Sequence, residues 1–96
     1  MNDLTGIQRD LLYIIARLET PHGLAIRDEL AEYYTKEIQH SHLYPNLDTL
    51  VDKGLVEKEQ ADGRTNSYSL TERGRRELEA RREWEDNYVT TLLSSS

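Results

Sequence analysis

Gln39, His40, Ser41 and His42 form an unbroken polar run, and Asn46 follows one helical turn after His42. On a helix all five lie off the apolar stripe of Leu43, Leu47 and Leu50, so they are expected to face solvent. Amide side chains pair with the edge of adenine through two hydrogen bonds, and hydroxyl and imidazole groups reach bases or phosphates. A helix start adds free backbone N–H groups and a favourable dipole for phosphate. The plain alternative is a polar helix start capped by Gln39 or Ser41. Tyr44 is read as mixed, its ring on the core edge and its hydroxyl turned to a phosphate, whereas Tyr68 is read mainly as core. Arg64 follows Gly63 at a hairpin tip, where an Arg enters a narrow minor groove well; Thr65 and Asn66 support it. Arg73 and Arg75 are candidate phosphate contacts. They belong to an Arg cluster interleaved with Glu72, Glu77, Glu79, Glu83 and Glu85, which i,i+4 pairing explains mostly as a solvated helix face.

Other chemistries find no support. The 96 residues hold no cysteine, which removes disulfides, thiol catalysis and zinc ribbons. No phosphate loop, nucleophile elbow or carboxylate pair is evident, so no enzyme and no cofactor are expected. His40 and His42, two apart on a helix, project in roughly opposite directions and cannot share an ion, so no metal is expected. No apolar run approaches the ~20 residues of a membrane span. The first ten residues lack the charge and apolarity of a signal peptide, and the expected location is cytoplasmic. Net charge is −6, with 18 acidic against 12 basic residues, and only Lys36, Lys53 and Lys58 are lysines. That balance suits a salt-rich cytoplasm, or simply an acidic small protein, and opposes phosphate binding by charge alone.

These residues need a scaffold. Thr5 and Gln8 have the spacing of a capping box, opening a helix over Gly6–Glu19 whose buried face is Ile7, Leu11, Ile14, Ile15 and Leu18. Thr20-Pro21-His22-Gly23 ends it. A second helix spans Leu24–Tyr34, with Ile26, Leu30, Tyr33 and Tyr34 on one face. A third spans Gln39–Lys53 and stops at Gly54. Pro45 lies within it and predicts either a kink or a later start near His42. Leu55–Glu59 and Asn66–Leu70 read as strands around an Asp62-Gly63 turn. Thr71 caps a fourth helix reaching about Leu93. Its stripe of Leu78, Trp84, Tyr88, Val89, Leu92 and Leu93 lies beyond the three-helix unit and fits a partner better than its own chain.

The fold class expected is mainly α with a small β-hairpin: a winged helix-turn-helix (residues 1–71) followed by a dimerisation helix and tail (72–96). At this point the residues resemble a family. Leu43-Tyr44-Pro45-Asn46-Leu47-Asp48-Thr49-Leu50, then Lys53-Gly54-Leu55-Val56, is similar to the PadR-type transcriptional regulators, as are Gly63-Arg64 and Tyr68-Ser69-Leu70-Thr71-Glu72-Arg73-Gly74-Arg75-Arg76-Glu77-Leu78. The likeness runs from about Ile7 to Leu78, and with the acidity it looks like a haloarchaeal member. It implies a homodimer on double-stranded DNA, usually a repressor, with the third helix in the major groove and the hairpin at the backbone or minor groove. The single helix after the wing leaves a dedicated ligand domain in doubt. At high salt, bridging cations between protein and DNA are expected to contribute. The rival expectation is a winged-helix module that binds protein and not DNA.

Overall fold

The computed structural model describes residues 3–60 and 65–94, the side chains of 91–94 excepted. Among them the chain forms α1 (Gly6–Leu18), α2 (Gly23–Tyr34), α3 (His40–Asp52), β1 (Val56–Gln60), β2 (Asn66–Leu70) and α4 (Glu72–Ser94). The expected capping box opens α1: Thr5 Oγ1 accepts from the Gln8 backbone N–H, and the Gln8 side chain accepts from the Thr5 N–H. Glu19, which the spacing places in the helix, is instead its C-cap at a positive φ of 71°. It is followed by Thr20-Pro21, which cannot continue the helix. In α2 the start moves one residue earlier, to Gly23, and His22 caps it with backbone only.

α3 keeps both Pro45 and a continuous helix. It starts at His40, between the two expected starts, so Pro45 is its sixth residue. Pro45 has no N–H for the Ser41 carbonyl. Side chains thicken the bonding around it: Asn46 Nδ2 donates to the His42 carbonyl at 2.6 Å and Thr49 Oγ1 to the Pro45 carbonyl at 3.0 Å.

The core gathers Leu11, Leu12 and Ile15 of α1, Ile26 and Leu30 of α2 and Leu43, Leu47 and Leu50 of α3, with Val56, Tyr68 and Leu78 closing it from the hairpin and α4. Tyr68 is buried, in line with its reading as mainly core, and its neighbour Ser67 is buried beside it. Tyr33 departs from expectation. It is 71% exposed while its neighbour Tyr34 is half-buried, because consecutive helical residues are turned by about 100° and the core reaches only one of them. Tyr34 is fixed instead by donating its hydroxyl to Asp10 of α1 at 2.5 Å.

The strands pair antiparallel with Val56 opposite Leu70 and Gln60 opposite Asn66. β1 begins one residue later than the pattern suggests. The hairpin is tied to the α1–α2 connection, where His22 bridges Ser67 and the Tyr68 N–H donates to the Pro21 carbonyl at 2.9 Å. The Asp62-Gly63 turn lies outside the described residues. Thr71 then acts as a joint. Its N–H donates to the Leu55 carbonyl and its hydroxyl to the Gly54 carbonyl at 2.7 Å, while its Oγ1 accepts from the Gly74 N–H at 3.0 Å. Gly74 sits so close to this connection that a Cβ there would run into the Leu55 carbonyl. From that joint α4 runs on for 23 residues, about 34 Å at 1.5 Å per residue, and the molecule is elongated at 54 × 30 × 21 Å. Three helices, a hairpin wing and a long last helix make up the winged-helix class expected.

Candidate nucleic-acid interface

A concavity of about 680 Å³ lies where the start of α2, the first turns of α3 and the hairpin meet. Its walls include His22, Gly23, His40, Tyr44, Asp48, Lys58, Thr65, Asn66 and Tyr68. Local geometry explains why these residues converge. Gly23 lets the α2 start close on α3, since a Cβ at that position would strike the Tyr44 hydroxyl. The Tyr44 ring, half-buried, lies against His40 at 4.2 Å between centroids. The half-buried ring fits the core-edge part of the reading from the sequence, while the hydroxyl lies against Gly23.

Gln39, His40, Ser41 and His42 are all exposed at the head of α3. Gln39 is the N-cap residue but makes no side-chain cap bond, so its amide is not consumed by the helix. Thr65 and Asn66 stand half-buried on the hairpin side of the same concavity. Arg64 lies outside the described residues.

Asn46 needs correction. It is half-buried rather than facing solvent, and its amide is engaged at both ends. Its Oδ1 accepts from Gln8 Nε2 at 3.0 Å, and its Nδ2 donates to the His42 carbonyl. Being off the Leu stripe does not make a residue solvent-facing when α1 packs along the flank. Arg73 and Arg75 are exposed, yet the structure does not bring them to the concavity. Arg73 lines a separate notch with Asp3, Asp52, Lys53 and Glu77.

The electrostatics follow the acidic composition. α3 carries Asp48 and Asp52 and no Lys or Arg. Among the described lining residues, the one Lys or Arg is Lys58, and it is paired with Asp48 at 3.6 Å. Lys58 is a lining residue that sequence reasoning missed. Strand alternation from Val56 was the available signal, but it does not say which face meets α3. Gln8 was missed as well, having been read only as a cap.

The C-terminal stripe divides in two. Leu78 is 8% exposed and packs into its own core, so its assignment to a partner contact is corrected: it lies on the first two turns of α4, which the Thr71 joint lays over β2. Trp84, Tyr88 and Val89 are 49%, 64% and 50% exposed. The Trp84 and Tyr88 rings meet at a tilt, 4.6 Å between centroids, with the Arg81 guanidinium 4.3 Å from the Trp84 ring centroid. Glu85, inside this stripe, accepts from Tyr13 of α1 at 3.1 Å and pairs with Arg81 at 3.5 Å. The Tyr13 hydroxyl is raised above its ordinary pKa, first by desolvation and then by Glu85. Leu92 and Leu93 have side chains outside those described. Arg82 pairs with Asp86 at i,i+4, in keeping with a solvated charge face.

Residues 11–80 match the model of the transcriptional regulator PadR-like family. The chain belongs to that family. Its PadR-like fold is similar to RosR of H. salinarum in the complex designated hsRosR-S1, at 47% identity and a TM-score of 0.88, covering 91% of this chain and 77% of that one. RosR grown from NaBr gives 48% identity and a TM-score of 0.86 over 90% of this chain and 77% of that one. A PadR family transcriptional regulator from Eggerthella lenta DSM 2243 is 26% identical, with a TM-score of 0.60 over 94% of this chain and 88% of that one. No match was found among the curated proteins. This PadR-like chain is therefore a transcriptional regulator by family, similar to a haloarchaeal member. Among the described residues no helix is long and apolar enough to cross a membrane.

Proposed function

We propose that the chain binds double-stranded DNA sequence-specifically as a homodimer and represses transcription by occluding the promoter. The observation carrying this reading is the exposed row Gln39, His40, Ser41 and His42 at the head of α3, with no Gln39 side-chain cap bond and with His40 lining the concavity shared by α3 and the hairpin. In this reading residues 1–71 bind DNA and residues 72–96 pair two copies, using Trp84, Tyr88, Val89, Leu92 and Leu93. Two copies of α3 enter major grooves about 34 Å apart on a pseudo-palindromic site. Tyr44, Asn46, Thr65 and Asn66 border the bases, and Arg64 approaches the minor groove. Arg73 and Arg75, away from the concavity, contribute at most through phosphates flanking the site.

A face whose lining Lys58 is paired with Asp48, on a chain of net charge −6, gains little from counterion release. Affinity then rests on base contacts, DNA shape and cations bridging carboxylates to phosphates, with no resident cofactor. A duplex selected from a random pool, titrated with KCl, tests this. Binding that persists toward molar salt supports the reading, and a steep loss typical of a basic repressor contradicts it. Asn46→Ala with Arg64→Ala is expected to abolish binding to that duplex while the sedimentation coefficient stays unchanged.

The pairing of Lys58 with Asp48 favours a second reading, a winged-helix module that binds protein alone. It predicts that no duplex is enriched at any salt concentration.

A further inference from the structure

Gln8 is a buried amide, 8% exposed, on the face of α1 that meets α3. Its bonds run in one direction. The Thr5 N–H donates to Gln8 Oε1 at 3.2 Å, so the other end of that amide must be the donor. Gln8 Nε2 then donates to Asn46 Oδ1 at 3.0 Å, and Asn46 Nδ2 donates to the His42 carbonyl at 2.6 Å. Reversing either amide would set acceptor against acceptor: Asn46 Oδ1 against the His42 carbonyl, or Gln8 Oε1 against Asn46 Oδ1. An amide offers two hydrogens and two lone pairs. The chain of bonds uses one of each on Asn46 and leaves one of each.

We propose that Gln8 is a positioning residue for base recognition: through the Thr5–Gln8–Asn46–His42 relay it fixes which end of the Asn46 amide donates and which accepts toward DNA. The inference rests on the DNA-binding reading above. An asparagine held this way distinguishes adenine, which needs a donor and an acceptor in a set order, from the other bases. The helix cap of α1 is thereby wired to the helix that reads DNA, although Gln8 itself lies in the core and touches no DNA.

Gln8→Glu separates this role from capping. A glutamate still accepts from the Thr5 N–H, as in the common capping box. Its second oxygen, however, faces Asn46 Oδ1 as an acceptor, so Asn46 must turn or let go. The experiment compares the base preferences of the full chain, its Gln8→Glu and Asn46→Ala variants and the double variant, by selection from a random duplex pool. The relay predicts that Gln8→Glu loses about tenfold in discrimination at one base pair of each half-site, the same position that Asn46→Ala affects. It also predicts no further change at that position when Gln8→Glu is added to Asn46→Ala. The added negative charge acts in both backgrounds and cancels in this comparison. An unchanged profile, or an equal shift with and without Asn46, overturns the inference. If melting shows that Gln8→Glu does not fold, Gln8→Met decides on the same comparison, since it removes the donor at similar volume. Should the unsubstituted chain select no sequence at all, the DNA-binding reading fails and this inference with it, an outcome distinct from selection that ignores Gln8.

Discussion

The two halves of α4 behave differently. Its first two turns are pinned at Thr71 and Gly74 and put Leu78 into the core. Beyond Arg81, every residue to Thr90 is exposed, including Trp84, Tyr88 and Val89. One helix thus serves first as a lid on its own domain and then as an apolar strip that a single chain leaves uncovered. A substitution in the first half is felt within one chain. In the second half, Glu85 still reaches Tyr13 of the same chain, but Trp84, Tyr88 and Val89 are exposed, so under the proposed pairing their replacement is expected to act on self-association.

The largest effect that sharpens this contrast belongs to the core. Leu47→Ala is expected to cost about 3 kcal/mol, read in denaturant melts, with α3 loosened along its whole length. Gly74→Ala follows at about 2 kcal/mol, because the new Cβ has the Leu55 backbone in its way rather than a side chain that can yield. Melts within 0.5 kcal/mol of the parent for either variant would break the account of the first half.

Trp84→Ala with Tyr88→Ala is expected to weaken self-association at least about 30-fold, the scale of a lost interface hot spot. Helix content by circular dichroism stays that of the parent at matched monomer concentration. Analytical ultracentrifugation over a concentration series reads this, and an unaltered monomer–dimer midpoint would show that the strip is covered by something else.

The smallest effect concerns Tyr34. Desolvation, then its bond to Asp10, push its hydroxyl up to about 12 from an ordinary 10.0. A raised folded-state pKa contributes stability that is full below pH 10 and is lost as pH rises from 10 to about 12. Tyr34→Phe is expected to lower stability by about 1 kcal/mol at neutral pH and to flatten that alkaline limb. Melts across this range check both, and a limb of unchanged steepness would assign it to other tyrosines.

Much of this was legible in the residues because it is local. The Thr5–Gln8 box, the Leu43/Leu47/Leu50 stripe and the partner strands Val56–Gln60 and Asn66–Leu70 all rest on spacings of two to four, which backbone geometry turns directly into caps, faces and pairs. What escaped depends on which surfaces meet. The sequence groups Leu78 and Trp84 in one broad apolar stripe of α4, yet six residues set them about 120° apart round the helix, and only Leu78 is covered by its own core. It makes Asn46 polar and off-stripe but is silent about Gln8 lying 38 residues earlier against it. It lists Lys58 as a strand residue with no hint that Asp48 waits across the concavity. Pro45 is intermediate: its missing N–H was evident, but spacing left open an early or a late helix start, and the helix runs from His40 through it.

The central claim, that paired copies of the α3 head read DNA, is tested most directly by the symmetry of what the full-length chain selects from a random duplex pool in KCl near molar concentration. Paired α3 heads are expected to enrich an inverted repeat whose half-sites are about one helical turn apart, lost when Trp84 and Tyr88 are both replaced by alanine. Enrichment of nothing, or of an isolated half-site bound equally well by that double variant, would contradict it.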